Sequence, residues 1–360
     1  MNASRIRLSL AMIVKNEARC LARCLNSIRS VADEIIVADT GSTDATASIA
    51  NGLGARVVRF EWANDFAAAR NFALGQARGD WVLVLDADEY ASAALRKEIL
   101  LFISGPPRIG RLKIVSDFRH GGQTLRSSTH VARLFPRGAR FEGRIHEQIA
   151  SPLPRENLRG ELWHDGYLET QKSERNIGML QAELAREPAS AYLQFQLALE
   201  YTSLGRTADA FASLQQARQW MHPSDPYAPN VVVDFLYAAM ELKEFQAGLQ
   251  VLLSAENWLS DFPDFHYVRG LFYMRYIGSD PARHLAELPK IEASFRRCLE
   301  LGETDKYKSV QGTGSFLANY NLGVFHHAMS DDARARPCLE AAARQNHAPA
   351  TALLKQLKRP

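Results

Sequence analysis

Strand-like and helix-like segments alternate over residues 8–89 of this 360-residue sequence. The strand-like segments are rich in apolar and β-branched residues and cover residues 7–14, 34–40, 55–60 and 81–86. The segments between them carry apolar residues at helical spacing. Because the links are short, this alternation predicts a mostly parallel sheet with helices on both faces. Right-handed crossovers make such a sheet doubly wound, so the predicted fold class is α/β and Rossmann-like.

The pattern changes from about residue 171 onward, where proline and glycine separate amphipathic helices. Residues 191–217 and 315–343 carry small and apolar residues at the spacing of a tetratricopeptide repeat. Residues 230–255 and 265–301 look like degenerate copies of the same unit. Two good and two poor copies predict an all-α, tetratricopeptide-like solenoid.

The change of pattern also predicts where the domains divide. We expect an α/β domain over residues 1–168 and a helical repeat domain over residues 169–360. Repeat surfaces of this kind bind a peptide or a protein, or pair two subunits. A protein partner or a homodimer formed through the repeats is therefore one expected interaction.

Acidic residues follow the fourth predicted strand in the stretch VLVLDADE, residues 82–89. Unpaired carboxylates are costly to bury, so these acids must lie at the end of the strand. Asp86 and Asp88 are two apart, which in an extended chain places them on one side, where they repel unless a metal or a shared proton joins them. For this stretch alone, a plain turn in which Asp88 or Glu89 caps a helix over 92–103 is an equally good interpretation.

Polar residues also follow the first two strands, with Asn16 and Glu17 after the first and Asp39 and Ser42 after the second. Ligands bind outside the carboxyl ends of the strands in such sheets, so three strand ends predict one ligand site. The sequence has no Gly-x-Gly-x-x-Gly after the first strand and no P-loop motif, which argues against both nucleotide-binding folds. The stretch MIVKNE stands where nucleotidyltransferases carry a glycine-rich loop.

Charge is unevenly distributed along the chain. The formal net charge is only +3, which argues against nucleic-acid binding, yet residues 105–160 carry ten arginines and one lysine against four acids, or +7. This segment is either a solvated surface or a surface that attracts phosphates. No apolar run approaches the ~20 residues that span a bilayer. We expect a cytoplasmic protein with reduced thiols, and contact with the inner membrane face stays open.

Four stretches of the sequence carry a resemblance to a known family. They are LAMIVKNEARCLARCLNSI, EIIVADTGSTDATASIA, FAAARNFALGQARGDWVLVLDADE and RFEGRIHEQI. Together they resemble glycosyltransferase family 2, and within it the branch that joins a GT-A domain to tetratricopeptide-like helices. That branch includes lipopolysaccharide-core glucosyltransferases and bacterial peptide S-glycosyltransferases. The resemblance covers residues 8–170 and, more loosely, the helical part.

The resemblance implies a site for a nucleotide-sugar donor, with a UDP-sugar as the first expectation. Asn16, Glu17 and Asp39 would contact the base and the ribose. Arg70 and Asn71, which precede the fourth strand, would contact the nucleotide or its diphosphate.

The resemblance also implies a divalent cation, Mn²⁺ or Mg²⁺, between the protein and the donor diphosphate. The stretch from Asp86 to Asp88 is similar to the Asp-x-Asp motif of the family, in which the first Asp lies near the ribose and the second binds the cation. His164 resembles a histidine that completes metal coordination in many GT-A enzymes, although a lone histidine is more often structural. In this interpretation the protein leaves both acids unpaired, so that the metal-diphosphate pairs them.

The catalytic base is the last role that the resemblance assigns. An inverting transfer needs a group that takes the proton of the acceptor. The stretch FEGRIHE resembles the acceptor-side His-Glu motif of the family, which makes Glu147 the first candidate and His146 the second.

The predicted function is that of a metal-dependent, inverting hexosyltransferase acting on a glycan, lipid-linked or peptide acceptor. The alternative is a non-catalytic scaffold that senses a nucleotide and binds a protein partner through its helical repeats. The presence of Asp86, Asp88 and Glu147 argues against that alternative, since a decayed enzyme is not expected to keep these acids.

Overall fold

The computed structural model describes residues 7–120, 123–164 and 170–357. The chain divides into two compact units, Met1–Leu168 and Glu169–Pro360, which are described one after the other. The division lies among residues 165–169, outside the described residues, so the predicted limits of the domains stay a prediction.

The first unit opens with the alternation that the sequence predicts. Its first seven elements are β1 (Leu8–Val14), α1 (Leu21–Ile28), β2 (Glu34–Asp39), α2 (Thr46–Gly52), β3 (Arg56–Arg59), α3 (Phe66–Gly75) and β4 (Trp81–Val84). The remaining elements are β5 (Glu89–Ala91), α4 (Ala93–Phe102), β6 (Ile109–His120), β7 (Gln123–Pro136), β8 (Arg140–Glu142), β9 (Gln148–Ala150) and β10 (Arg155–His164). Ser92 caps α4, since its hydroxyl accepts a hydrogen bond from the Leu95 N–H, so neither Asp88 nor Glu89 has that role.

The strands form a mixed sheet in the order β3-β2-β1-β4-β7-β6-β10-β5. Strands β1 to β4 pair in parallel, and β10 pairs in parallel with β6. Strand β7 is antiparallel to both β4 and β6, and β5 is antiparallel to β10. Strands β8 and β9 form a separate two-stranded sheet. The α/β prediction is confirmed, and every antiparallel pairing of the main sheet involves β7 or β10, which follow residue 105.

Helices cover both faces of this sheet. On one face, Leu21, Leu25 and Ile28 of α1 follow helical spacing and are buried against apolar side chains of β1 and β4. On the other face, Ala73 and Leu74 of α3 pack against β2 and β4. Because both faces are covered, polar side chains are placed at the ends of the strands.

The second unit is mainly α-helical, with one 3-10 helix at Leu285–Glu287 and a two-residue strand at Ser309–Val310. Its helices are α5 (Thr170–Leu184), α6 (Ala191–Ser203), α7 (Thr207–Trp220), α8 (Ala228–Leu242), α9 (Phe245–Ala255), α10 (Pro263–Ser279), α11 (Pro281–His284), α12 (Leu288–Leu301), α13 (Phe316–Ala328), α14 (Asp332–Ala343) and α15 (Ala348–Gln356). Helices pack in the pairs α6 with α7, α8 with α9, α10 with α12, and α13 with α14. These pairs coincide with the four repeat units expected from the sequence.

Glycine is present where paired helices cross closely. A Cβ atom added to Gly323 of α13 would lie 2.7 Å from Leu339 of α14. A Cβ added to Gly270 of α10 would lie 2.7 Å from the ring of Phe295 in α12. The small residues of the repeat pattern therefore mark the positions where two helices approach most closely.

All four cysteines are free thiols, and Cys20, Cys24 and Cys298 are buried. In the three described ranges, none of the helices combines the length and the apolar character that a bilayer crossing needs.

Candidate active site

The carboxyl ends of β1 and β2 are joined by hydrogen bonds between the loops that follow them. Asn16 has a φ of 56°, in the left-handed region that asparagine tolerates. Its N–H donates to the Ser42 hydroxyl at 3.0 Å, and its side-chain carbonyl accepts from the Thr43 N–H at 2.8 Å. The Glu17 N–H donates to the Thr46 hydroxyl at 2.7 Å. The sequence was therefore right to expect these two strand ends close together.

Asp39 shapes the second of these loops. Its Oδ1 accepts hydrogen bonds from the N–H groups of Gly41 at 3.0 Å and Ser42 at 2.8 Å. Its Oδ2 accepts none within the described parts of the chain, so one carboxylate oxygen stays available to a ligand. The predicted contact of Asp39 with a ribose stays a prediction.

Asp86 follows β4 and has an arginine on each carboxylate oxygen. Arg70 donates from Nη2 to Oδ1 at 2.9 Å, and Arg133 donates from Nη2 to Oδ2 at 2.6 Å. The expectation that the protein leaves both acids of the Asp-x-Asp stretch unpaired is therefore wrong for Asp86. The reason is tertiary: Arg70 belongs to α3 and Arg133 to β7, and the fold brings both to the end of β4.

A β-bulge delivers Arg133 to this position. Gly110 of β6 pairs with Leu134, but the next residue, Arg111, pairs with Ala132, which leaves Arg133 as the extra residue of β7. Bulges re-aim a side chain and are frequent beside active sites. Arg133 was not among the residues predicted from the sequence, although a signal was present: this arginine interrupts the apolar stretch VARLF, so it needs a counter-ion if the stretch is buried.

Glu89 is that counter-ion. Its Oε1 accepts from Arg133 Nη2 at 2.8 Å, and its Oε2 accepts from the Asp86 N–H at 2.8 Å. On the opposite side, Arg70 forms an ion pair with Glu147 through Nε. These contacts join two cations and three carboxylates into one group, which we call the buried charge cluster: Arg70, Asp86, Glu89, Arg133 and Glu147.

Burial and the neighbouring guanidinium groups shift the pKa values of the carboxyl groups in this cluster in opposite directions. Burial opposes ionisation of Asp86, but the guanidinium groups of Arg133 and Arg70 outweigh it and hold the pKa of Asp86 well below its usual range. Burial raises the pKa of Glu89, because Arg133 only partly offsets the loss of water and Asp86 adds negative charge nearby. Of these two carboxyl groups, Asp86 is therefore ionised more firmly than Glu89.

Asp88 has a different partner. Its Oδ2 lies 3.3 Å from His164 Nε2, while His164 Nδ1 lies 3.1 Å from the Ser116 hydroxyl. The hydrogen bond to Asp88 raises the pKa of His164, against the opposing effect of partial burial. The structure thus brings together the two residues that the sequence proposed as metal ligands, and it adds Ser116 as the group that orients the imidazole.

The donor set of this pair fits a divalent cation. A carboxylate oxygen and an imidazole nitrogen at this separation can both bind Mn²⁺ or Mg²⁺. Across the described ranges, no group of three or more His, Cys, Asp or Glu side chains is arranged to hold a metal ion. A cation bound here would need further oxygen ligands from a bound molecule and from water.

The acceptor-side residues lie in the segment between β8 and β9. Glu147 is held by Arg70, and its side chain is only 8% exposed. His146 next to it has a φ of 52°. Asn71 fixes β8, because its side-chain amide donates to the Phe141 carbonyl at 2.9 Å and its side-chain oxygen accepts from the Phe141 N–H at 2.9 Å. Both polar atoms of Asn71 are thus engaged by backbone, and its predicted contact with a nucleotide stays a prediction.

Comparison with known proteins supports the resemblance that the sequence motifs carry. The family model described as Glycosyl transferase family 2 matches residues 9–152. This range contains β1 from its second residue onward, β2 to β9, and every member of the buried charge cluster.

Three relatives illustrate the similarity along the chain. A TPR repeat-containing protein of Synechococcus elongatus is 32% identical over 271 residues, which cover 70% of this chain and 66% of that protein. An uncharacterized glycosyltransferase of Rickettsia bellii is 43% identical over 93 residues, 26% of this chain and 31% of that protein. The SPbeta prophage-derived glycosyltransferase SunS of Bacillus subtilis is 28% identical over 225 residues, 58% of this chain and 53% of that protein. The chain therefore spans between 31% and 66% of the length of these relatives.

Proposed function

This chain carries a glycosyltransferase family 2 domain joined to tetratricopeptide-like helical repeats, and on that basis we propose that it transfers a sugar from a nucleotide-sugar donor to an acceptor. We further propose that the reaction depends on a divalent cation and inverts the configuration at the anomeric carbon. The acceptor is a glycan, a lipid-linked group or a peptide.

The observation that carries the proposal is the pairing of Asp88 with His164 at the end of β4. Asp86 is neutralised by arginines, whereas the partner of Asp88 is an imidazole that can itself become a metal ligand. In the proposed complex both side chains would hold Mn²⁺ or Mg²⁺, and the Ser116 hydroxyl would keep its contact with the other ring nitrogen of His164. A cation held by these residues would supply Lewis-acid assistance, because it would offset the negative charge on the departing diphosphate.

Asp86 contributes to donor binding in another way. Its oxygens each accept one hydrogen bond from an arginine, and a carboxylate oxygen can accept a second. The carboxylate is 35% exposed, while the arginine side chains on both sides of it are only 10% exposed. Asp86 can therefore accept hydrogen bonds from ribose hydroxyl groups while the cluster beneath fixes its position.

Glu147 is the proposed base. In the transfer, the acceptor nucleophile forms a bond to the anomeric carbon, and the bond from that carbon to the diphosphate oxygen breaks with its electron pair. The acceptor proton passes to the Glu147 carboxylate, which Arg70 orients. His146 is the second candidate for this proton transfer.

A screen of sugar nucleotides tests the proposal. Purified protein is incubated with UDP-, GDP-, ADP- and CMP-linked sugars, and donor hydrolysis is measured with Mn²⁺, with Mg²⁺ and with EDTA. We expect slow hydrolysis of at least one donor that requires the cation. Nucleotide binding without hydrolysis or transfer would favour the scaffold alternative, and hydrolysis that persists in EDTA would contradict the metal dependence.

A further inference from the structure

Arg133 uses one nitrogen for two ion pairs. Its Nη2 donates both to Asp86 Oδ2 at 2.6 Å and to Glu89 Oε1 at 2.8 Å. Its Nε is buried and has no hydrogen-bond partner in the parts of the chain that the structure describes. A buried donor without a partner destabilises the folded protein, as does burial of the charge itself. Local destabilisation of this kind is typical of residues at functional sites.

The contacts form a closed ring around Asp86. The Asp86 N–H donates to Glu89 Oε2, Glu89 Oε1 accepts from Arg133, and Arg133 donates back to the Asp86 carboxylate. Backbone and side chain of Asp86 are therefore tied to the same pair of residues. Glu89 is 2% exposed and Arg133 is 9% exposed, so water does not compete for these contacts.

Two arginines on one carboxylate restrict its rotation. If Arg70 alone held Asp86, the carboxylate could turn about its last torsion and exchange one oxygen for the other. Because Arg133 occupies the second oxygen, each oxygen has its own partner and the plane of the carboxylate is fixed.

We propose that Arg133, with Glu89 as its counter-ion, is a positioning residue that fixes the orientation of Asp86 for donor binding. This inference rests on the proposed function, since it assumes that Asp86 contacts the donor. Arg133 acts through Asp86: its side chain is buried, and its effect on the donor is transmitted by the Asp86 carboxylate to which it donates.

The first test compares two variants at position 133. Arg133→Met combined with Glu89→Gln removes one positive and one negative charge together, so the formal charge of the cluster is unchanged and glutamine can still accept from the Asp86 N–H. Binding of UDP in the presence of Mn²⁺ is measured by calorimetry, and melting is followed without either ligand. We expect the melting temperature to stay close to that of the wild type, while UDP affinity falls about tenfold to a hundredfold.

Arg133→Lys is the matched control. Because one nitrogen makes both contacts of Arg133, a lysine ammonium can replace it, and we expect this variant to keep UDP affinity within about threefold of the wild type. Equal losses in Arg133→Lys and in the methionine double variant would overturn the inference. Wild-type affinity in the double variant would overturn it as well.

A double-mutant cycle separates positioning from a general structural role. If Arg133 acts through Asp86, the methionine double variant should have little further effect when Asp86→Asn is already present. An undiminished loss on that background would show that Arg133 acts independently, and would contradict the inference alone. A wild-type protein that binds none of UDP, GDP, ADP and CMP with Mn²⁺ would instead remove the proposed function and this inference with it.

Discussion

The buried guanidinium of Arg70 is ion-paired with Glu147, which lies 77 residues farther along the chain. The same guanidinium donates to Asp86 through Nη2, whereas its Nε faces Glu147. One cation thus joins the carboxylate that we place beside the donor to the carboxylate that we place beside the acceptor. One planar guanidinium group therefore holds the two carboxylates relative to each other.

The ion pair between Arg70 and Glu147 leads to a prediction for the transfer rate and the UDP affinity of Glu147→Gln. As the base, Glu147 acts mainly in the transition state, so we expect the rate of sugar transfer to fall by about 10²–10⁴-fold. UDP affinity with Mn²⁺ should change little, because Arg70 keeps its bond to Asp86. Single-turnover rates and calorimetry measure the two quantities separately. The matched control is Glu142→Gln, an exposed carboxylate five residues earlier in β8, which should leave both unchanged. If Glu147→Gln lost affinity for the donor but turned over at the normal rate when saturated with donor, Glu147 would not be the base.

Asp88→Asn should abolish the dependence of UDP binding on Mn²⁺. The side chain lies at the end of the sheet and the change is nearly isosteric, so we expect the melting temperature to be preserved. The introduced amide would still face His164, but it lacks the charge that binds a hard cation. UDP affinity is compared with and without Mn²⁺, and Asp117→Asn in the exposed pair with Arg126 serves as the control. Donor binding with a normal metal dependence in Asp88→Asn would refute the assignment of the ligand.

Local sequence patterns predicted most of the fold. The period of the apolar residues identified β1 to β4 and the helices between them, and the repeat spacing identified four helical pairs. What the sequence did not predict is the pairing of residues after position 105, where β6, β7 and β10 enter the sheet out of sequence order. The spacing of apolar residues can indicate that a segment is a strand, but it does not indicate which strand it pairs with. Strand order in this region depends on tertiary contacts.

The candidate site was also only partly predictable from the sequence. Asp86, Asp88 and His164 were singled out from the sequence, and the structure brings all three to one end of β4. Arg133 was not, because its position depends on a bulge that shifts the register between β6 and β7 by one residue. Register is a property of the paired strands together. For that reason the ion pair between Asp86 and Arg133 was found only in the structure.

Glu34 predicts a dependence of stability on pH. Its carboxylate accepts from the Ser9 hydroxyl at 2.5 Å, from the Arg78 N–H at 2.6 Å and from Arg78 Nε at 3.1 Å. Burial opposes ionisation, but these hydrogen bonds outweigh it and lower the pKa of Glu34 below its ordinary value of 4.5. A carboxyl group with a lowered pKa in the folded state stabilises the protein above the unfolded pKa, and this contribution is lost as the pH falls through the folded value.

Glu34→Gln should therefore lower the free energy of unfolding by about 1–3 kcal/mol at pH 7. The difference from the wild type should shrink below pH 4.5, where the wild-type carboxylate also becomes protonated. Urea denaturation at pH 7, 5 and 3.5 measures the difference in the free energy of unfolding between Glu34→Gln and the wild type at each pH. Glu61→Gln, at an exposed position, is the control and should show no such trend. A difference that is constant across this range would mean that Glu34 does not act through its charge.

The crossing of α10 and α12 gives a prediction for the helical domain. An added Cβ at Gly270 would lie 2.7 Å from two carbon atoms of the Phe295 ring, and that ring is fully buried. The ring cannot move away without displacing its neighbours, so we expect Gly270→Ala to lower the free energy of unfolding by about 1–3 kcal/mol.

Gly178 in the interior of α5 has no atom within 4 Å of its added Cβ. Gly178→Ala should instead stabilise the protein by about 0.5–1 kcal/mol, because alanine is the better helix former. Denaturant unfolding followed by circular dichroism measures both changes, and the two substitutions should have opposite signs. If Gly270→Ala proved as stabilising as Gly178→Ala, glycine at position 270 would not be required by the close crossing of the two helices.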